Sequence, residues 1–301
     1  MALAHPTIVC GVDGSEDSAH LVRIAARLAE LVGAHLALVH VLGSRRQSWP
    51  GVVDARRTLM AMCDAVGVPD AERHVVPYGD PARRIGAIAE QRRALLIVVG
   101  TRGATAAPDA ILGSVSSRLA ADAPAPVLVV PPRLAPHVDP TTWSRRTFVC
   151  GLDGSPAGWG AARQSALLAA RLRGELMLVS VGSDAMVADD DVDRELMLAA
   201  GAGLQSGSDR EPFLVRRDVR HGDAAWELER VAAALTAPLI AIGSRGLGPE
   251  DALLGCVARR VLGAARRPTL IVPVTSVLEA RAAERRERVA PYGSTRPLRI
   301  A

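Results

Sequence analysis

The chain has 301 residues, roughly twice the usual length of a single domain, so two domains, each with its own core, are expected. Hydrophobic residues make up 49% and aromatics only 3%. That composition suits Ala, Val and Leu packed between helices and strands, and argues against a surface that stacks nucleic-acid bases on aromatic platforms. All 36 basic residues are arginine, so a Walker A phosphate loop and a lysine Schiff base are both excluded.

The formal charge of +4 is local: beyond residue 275, six arginines stand against three glutamates. The body is therefore nearly neutral, and no nucleic-acid partner is expected. No run approaches the roughly 18 apolar residues of a membrane span. The first ten residues lack a basic segment followed by an apolar one, so the expectation is a cytoplasmic protein without a membrane partner. Cys10, Cys63, Cys150 and Cys256 show no CxxC pair and no metal-ligand spacing with the seven histidines, and read as structural thiols in a reducing compartment. No catalytic residue and no metal ligand emerges from these spacings.

In chain order, the first predicted strand, 7–12, is followed by Asp13, Gly14 and Ser15. Gly14 permits a tight turn, and the Ser15 hydroxyl suits a cap on the helix that follows. A carboxylate after a buried strand must find donors, and for Asp13 two roles are open: a turn-stabilising Asx contact, or ribose hydroxyls of a ligand. Further strands are predicted at 34–41, 73–78, 95–100 and 127–131, with helices between them. After 95–100 comes GTRGATAAPDAILGSVS, with Gly100, Gly103 and Gly113 followed by Ser114. Glycines let backbone N–H groups approach an anion, and a helix opening at Gly113 and Ser114 offers free N–H groups and a dipole that favours phosphate. Ser114 and Ser116 add hydroxyls. Three glycines in such a loop also serve turns and close packing alone.

Residues 131–146 carry four prolines and little periodicity, as a linker would. Then the pattern returns. TIVCGVDGS at 7–15 matches TFVCGLDGS at 147–155 in seven of nine positions, and extending this 140-residue offset through Gly43 gives 15 identities in 37. Strands are predicted at 147–152, 175–181, 213–219, 239–243 and 269–273, so the second half is a duplicate of the first. Alternating strands and helices, with runs such as LLIVVG apolar on both faces, indicate an α/β protein. The expectation is two open, doubly wound domains, each a five-stranded, mostly parallel sheet between helices. The boundaries are 1–132 for the first domain, 133–146 for the linker, 147–275 for the second domain and 276–301 for an Arg-rich tail. The last strands of the halves, 127–130 and 270–272, are available to pair across the molecule. In such folds ligands bind at the carboxyl ends of strands where strand order reverses, which points to the loops after strands 1 and 4.

Two further features have plain readings. Asp189, Asp190, Asp191 and Asp193 depart from a calcium loop, with Arg194 where the turn glycine belongs and Ala200 in place of the bidentate glutamate. They suit a helix start. Trp159 and Trp226 fall on predicted helices and are expected to pack in the core or an interface.

VCGVDGS, GDPARRIGAIAEQRRALLIVVGTRG and GTRGATAAPDAILGSVS, in this order and repeated, resemble the universal stress protein family in its tandem form, over 5–131 and 145–274. The resemblance implies an adenine nucleotide alpha hydrolase-like fold. It also implies a site for ATP, ADP or AMP with Mg²⁺ in the first half. On that basis Gly100, Gly103, Gly113 and Ser114 would form the phosphate loop, Asp13 would contact the ribose and Val41 would offer its backbone to the adenine, with Gly14, Ser15, Arg102, Val115 and Ser116 as further nucleotide-binding residues. Leu95 and Pro238 stand where the family often has Asp before strand 4.

In the second half Asp153, Val181, Gly243, Gly246 and Gly255 remain, but only eight residues separate Gly246 from Gly255, and Cys256 replaces the serine. A one-residue deletion shifts an extended chain by roughly 3.3 Å, and a thiol donates more weakly than a hydroxyl, so this site is expected to be the weaker. The leading functional reading is a nucleotide-binding regulatory or stress-response module without catalysis. The halves would pack as a pseudo-dimer, and a homodimer and an unidentified protein partner stay open. A slow ATP hydrolase using Arg102 and Asp13, and a ligand-free interaction module, are the other readings.

Overall fold

A computed structural model describes residues 6–43, 49–101, 112–132, 140–182, 213–246 and 254–277. Its first half runs β1 (Thr7–Val12), α1 (Glu16–Val32), β2 (His35–Val41), α2 (Trp49–Val66), β3 (Glu72–Val76), α3 (Pro81–Gln91), β4 (Ala94–Gly100), α4 (Ser114–Asp122) and β5 (Val127–Val130). A 3-10 turn at Pro140–Thr142 leads into β6 (Thr147–Gly151), α5 (Pro156–Arg171), β7 (Glu175–Val181), β8 (Val215–Arg220), α6 (Ala224–Ala234), β9 (Ile240–Gly243), α7 (Cys256–Ala264) and β10 (Thr269–Val272). All ten predicted strands are present, with ends moved by one or two residues.

The ten strands form one sheet in the order β3-β2-β1-β4-β5-β10-β9-β6-β7-β8. Each half repeats the same order about its own first strand, with every pairing inside a half parallel. The halves join through the antiparallel β5–β10 pair, where Leu128 faces Leu270. Two five-stranded units were read from the sequence; the cross-strand bonds of this pair fuse them into a single sheet.

Two apolar layers follow from strand alternation. Ile8, Cys10, Leu36, Leu38, Leu128 and Leu270 face α1, α2 and α5. Val9, Val39, Ile97, Val129 and Ile271 face α3, α4, α6 and α7. Helices on both faces cover the apolar strands from both sides. Trp143, just before β6, is fully buried and meets the Phe148 ring edge-on at 6.2 Å. Arg245 reaches Asp122 at 3.8 Å, and Thr275 Oγ1 donates to the Ala123 carbonyl, so side-chain contacts also cross the junction.

The repeat extends to helix caps. Asp80 accepts from the Arg83 N–H and pairs with Arg118; Asp223 accepts from the Trp226 N–H and pairs with Arg260. The Trp226 N–H, and then Arg260, hold Asp223 below the usual carboxylate range.

Two expectations are revised. Trp159 packs against the core as expected, but Trp226 is 60% exposed, because Ala225, Leu228, Val231 and Ala232 form the buried stripe of α6. Its ring instead carries the Arg230 guanidinium at 5.2 Å. Cys10, Cys63 and Cys150 are buried, whereas Cys256 is exposed at the first position of α7. Arg102, Gly103, the acidic run at 189–193 and the tail beyond 277 lie outside the described residues. Among those residues, no helix is long and apolar enough to cross a membrane.

Candidate functional site

At the carboxyl ends of β1, β2 and β4, where strand order reverses, lies a cleft of about 470 Å³, within the 300–1,000 Å³ common for small-molecule sites. It is lined by Asp13, Ser15, Val41, Gly100, Gly113, Ser114, Val115 and Ser116. Residues from three strand ends thus line one cleft, and Gly14 sits in the turn between Asp13 and Ser15.

The β1–α1 turn is built around Asp13. One carboxylate oxygen, Oδ1, accepts from Ser15 N at 3.0 Å, Ser15 Oγ at 2.6 Å and Ser18 Oγ at 2.8 Å. The turn-stabilising role is therefore filled. Gly14 has φ +83°, the left-handed region that a residue with a β-carbon enters at a cost. Ser15 does not cap α1 with its hydroxyl, which is spent on Asp13. In the second half Ser155 makes the same contact to Asp153 and also accepts from Gly158 N, so there the serine does cap its helix.

Val41 ends β2 one residue beyond the β1–β2 register, which closes at Val12 and His40. Across the cleft, Gly113 precedes α4 in extended conformation and makes no side-chain cap. The first helical bond in this turn runs from Ser117 N to Gly113 O, so the N–H groups of Ser114, Val115 and Ser116 lack intrahelical acceptors. Ser114 is exposed, Val115 half-buried and Ser116 buried. The Ser116 hydroxyl donates to the Gly100 carbonyl at 2.5 Å, so it fastens the helix to the strand, and what it offers a ligand is its N–H.

The second half retains more of this frame than its shortened loop suggests. Gly255 N donates to Ser244 O at 2.9 Å, as Gly113 N donates to Thr101 O at 2.7 Å. The backbone angles of the two glycines agree within 7°. The start of α7 is therefore held as the start of α4 is. A β-carbon on Gly246 would collide with Asp153 Oδ2, and one on Gly243 would lie 2.7 Å from Ala157, so these two glycines sit against the β6–α5 turn. Cys256 and Ala258 stand where the first half has Ser114 and Ser116, and Val181 ends β7 as Val41 ends β2.

Ser18, Asp17, His20, His40 and Thr101 also line the first cleft and were not singled out from the sequence. A signal existed in the repeat: at the same offset the second half has Gly158, Ala157, Gly160 and Ser180 in place of the first four. His40 is the most unusual, with its Nδ1 buried and without a hydrogen-bond partner among the described residues. Burial pulls its pKa below the ordinary histidine value, and the neighbouring Asp13 charge opposes that shift.

This architecture, a doubly wound unit present twice, with a cleft at the switch point of the first copy, defines a tandem α/β protein. A family model described as the universal stress protein family matches residues 5–131 and 144–273, and the chain belongs to that family. A universal stress protein of Mycolicibacterium smegmatis is 31% identical over 88% of this chain and 96% of its own length. The Mycobacterium tuberculosis universal stress protein Rv2005c is 29% identical over 88% and 96%. Among solved structures, a universal stress protein from Archaeoglobus fulgidus shares the fold with a TM-score of 0.68, at 21% identity, over 89% of this chain and 98% of that one.

Proposed function

We propose that this protein is a regulatory module that binds an adenine nucleotide, ATP, ADP or AMP, in the cleft of its first half. The observation that carries the reading is the meeting of Asp13 and Val41 on one wall with the uncapped start of α4 on the other. A carboxylate suits ribose hydroxyls, a strand-end backbone suits a purine edge, and free helix N–H groups suit phosphates. The donor set therefore fits a nucleotide. Mg²⁺ would arrive on the phosphates, since no cluster of three or more His, Cys, Asp or Glu able to hold a metal occurs among the described residues. Arg102 and Gly103 complete the phosphate loop in this reading, and a cytoplasmic stress-response role goes with it.

The reading makes the protein a binder and not a catalyst. The test is thermal unfolding with ATP, GTP or buffer. A ligand at 100 times its Kd adds about 2.7 kcal/mol to folded-state stability, so ATP should raise Tm measurably and GTP by less. No shift with any adenine nucleotide would overturn the proposal.

A further inference from the structure

The His40 ring lies directly beneath the turn that presents Asp13. A β-carbon on Gly14 would sit 3.4 Å from its Cε1 and 4.0 Å from its Nδ1. His40 shares the strand face of Leu36 and Leu38, and it lines the cleft that also contains Asp13. Its Nδ1 is buried with no hydrogen-bond partner among the described residues. Buried polar groups are rarely left so, and an exception calls for a function. The second half has Ser180 at the equivalent position, so the feature belongs to the first cleft and not to the repeated fold.

We propose that His40 is a positioning residue for Asp13: the neutral imidazole leaves the carboxylate to the ligand's ribose, and the protonated imidazole draws it away. This inference rests on the nucleotide reading of the cleft. Protonation puts a positive charge on a ring whose Nδ1 has no hydrogen-bond partner among the described residues, and Asp13, on the turn above it, is the anion whose charge acts on that ring. The imidazolium and the ribose hydroxyls then compete for one carboxylate. Other charged or titratable groups on the surrounding elements are Cys10 on β1, Glu16, Asp17, His20, Arg23, Arg27 and Glu30 on α1, His35 on β2, Asp54, Arg56, Arg57, Cys63 and Asp64 on α2, and Glu72, Arg73 and His74 on β3. Asp54 pairs with Arg57, and Glu72 with His74 and Arg92. These groups are common to wild-type protein and a His40 variant, so a comparison of the two isolates His40.

Adenosine is the probe, because it has no phosphate that titrates in this range. Its Kd is measured by calorimetry in steps from about pH 7.5 down to about pH 5, because burial holds His40 below the ordinary imidazole value of about 6.5. Wild-type protein should bind progressively more weakly as pH falls, with about tenfold as the low-pH limit if the ligand shifts the histidine by about one unit. In His40→Asn the ratio of the Kd values at the two ends of this range should fall to near one, whatever the absolute affinity. A direct measurement on wild-type protein accompanies this: the His40 imidazole proton resonance, followed by NMR, should titrate at lower pH with adenosine bound than without. Equal pH ratios in the two proteins, or a His40 titration unmoved by adenosine, would overturn the role while leaving nucleotide binding intact. Absence of adenosine binding across this pH range in wild-type protein that still binds ATP overturns the role alone, and failure to bind ATP as well overturns both readings.

Discussion

The Ser116 hydroxyl donates to the Gly100 carbonyl at 2.5 Å and ties the start of α4 to the end of β4. Both residues border the cleft, so the bond fixes the distance between the strand end and the N–H groups offered by the helix. Ser116 is 4% exposed, and its removal leaves a carbonyl without its partner. Ser116→Ala should cost about 1–3 kcal/mol, the usual penalty for a buried group left unsatisfied, read as a lower urea midpoint with unchanged m-value. Nucleotide affinity should fall with it.

Arg267 anchors the far end of α6. It is 6% exposed, donates to the Ala232 and Ala237 carbonyls at 3.2 and 2.6 Å, and lies 3.4 Å from Glu229 Oε2. Burial raises the Glu229 pKa, and Arg267 opposes that rise. An acid whose folded pKa is raised contributes stability at low pH that is lost as pH rises through its folded value. Arg267→Met removes the opposing charge, so it should destabilise the protein by about 3–5 kcal/mol near neutrality. The penalty should shrink on acidification as Glu229 becomes neutral. Urea unfolding of both proteins across this pH range tests the trend, and a pH-independent penalty would contradict it.

The four cysteines should divide by burial. Desolvation raises the thiol pKa of Cys10, Cys150 and Cys63, that of Cys150 to about 12, whereas Cys256 is exposed. Since the thiolate is the reactive species, native protein treated with an aromatic disulfide reagent should release close to one equivalent promptly, and denatured protein four. Mass spectrometry should place the native label on Cys256.

Local pattern made the strands legible. Runs such as LLIVVG needed only their continuous apolar character and the turn residues around them, and the repeat supplied each element twice. The loops after β1 and β4 were also readable, because glycine and serine spacing reports helix starts and tight turns directly, whereas Val41 at the end of β2 came only from the family resemblance. What was not readable depends on partners distant in sequence. The Ser116 hydroxyl looked like a ligand donor until Gly100 was seen to accept it. The Ser15 hydroxyl looked like a cap until Asp13 was seen to take it. The burial of His40 beneath Gly14 requires the β1–β2 register, which spacing does not encode, and the exposure of Trp226 follows from which stripe of α6 meets the sheet. The shortened loop after β9 suggested displaced donors, yet the strand–helix bond from Gly255 N to Ser244 O survives.

That survival changes the argument for unequal occupancy of the two halves without changing its outcome. Both α4 and α7 begin at an uncapped glycine with free N–H groups, so donor placement does not separate the halves. A side chain does. In the second half the Cys256 thiol replaces the Ser114 hydroxyl at the exposed first position of the helix, and a thiol is the weaker donor. A hydrogen bond to a charged group is worth about 1.5–3 kcal/mol, which amounts to roughly one to two powers of ten in Kd at 1.4 kcal/mol per tenfold change. Calorimetric titration with ATP should therefore give close to one nucleotide per chain. Gly113 and Gly255 both have negative φ, so aspartate at either position probes charge and not backbone strain. Gly113→Asp should abolish binding by placing a carboxylate among the phosphates, and Gly255→Asp should leave it nearly unchanged. Two equivalent sites, or loss of binding only in the Gly255 variant, would assign the nucleotide to the wrong half.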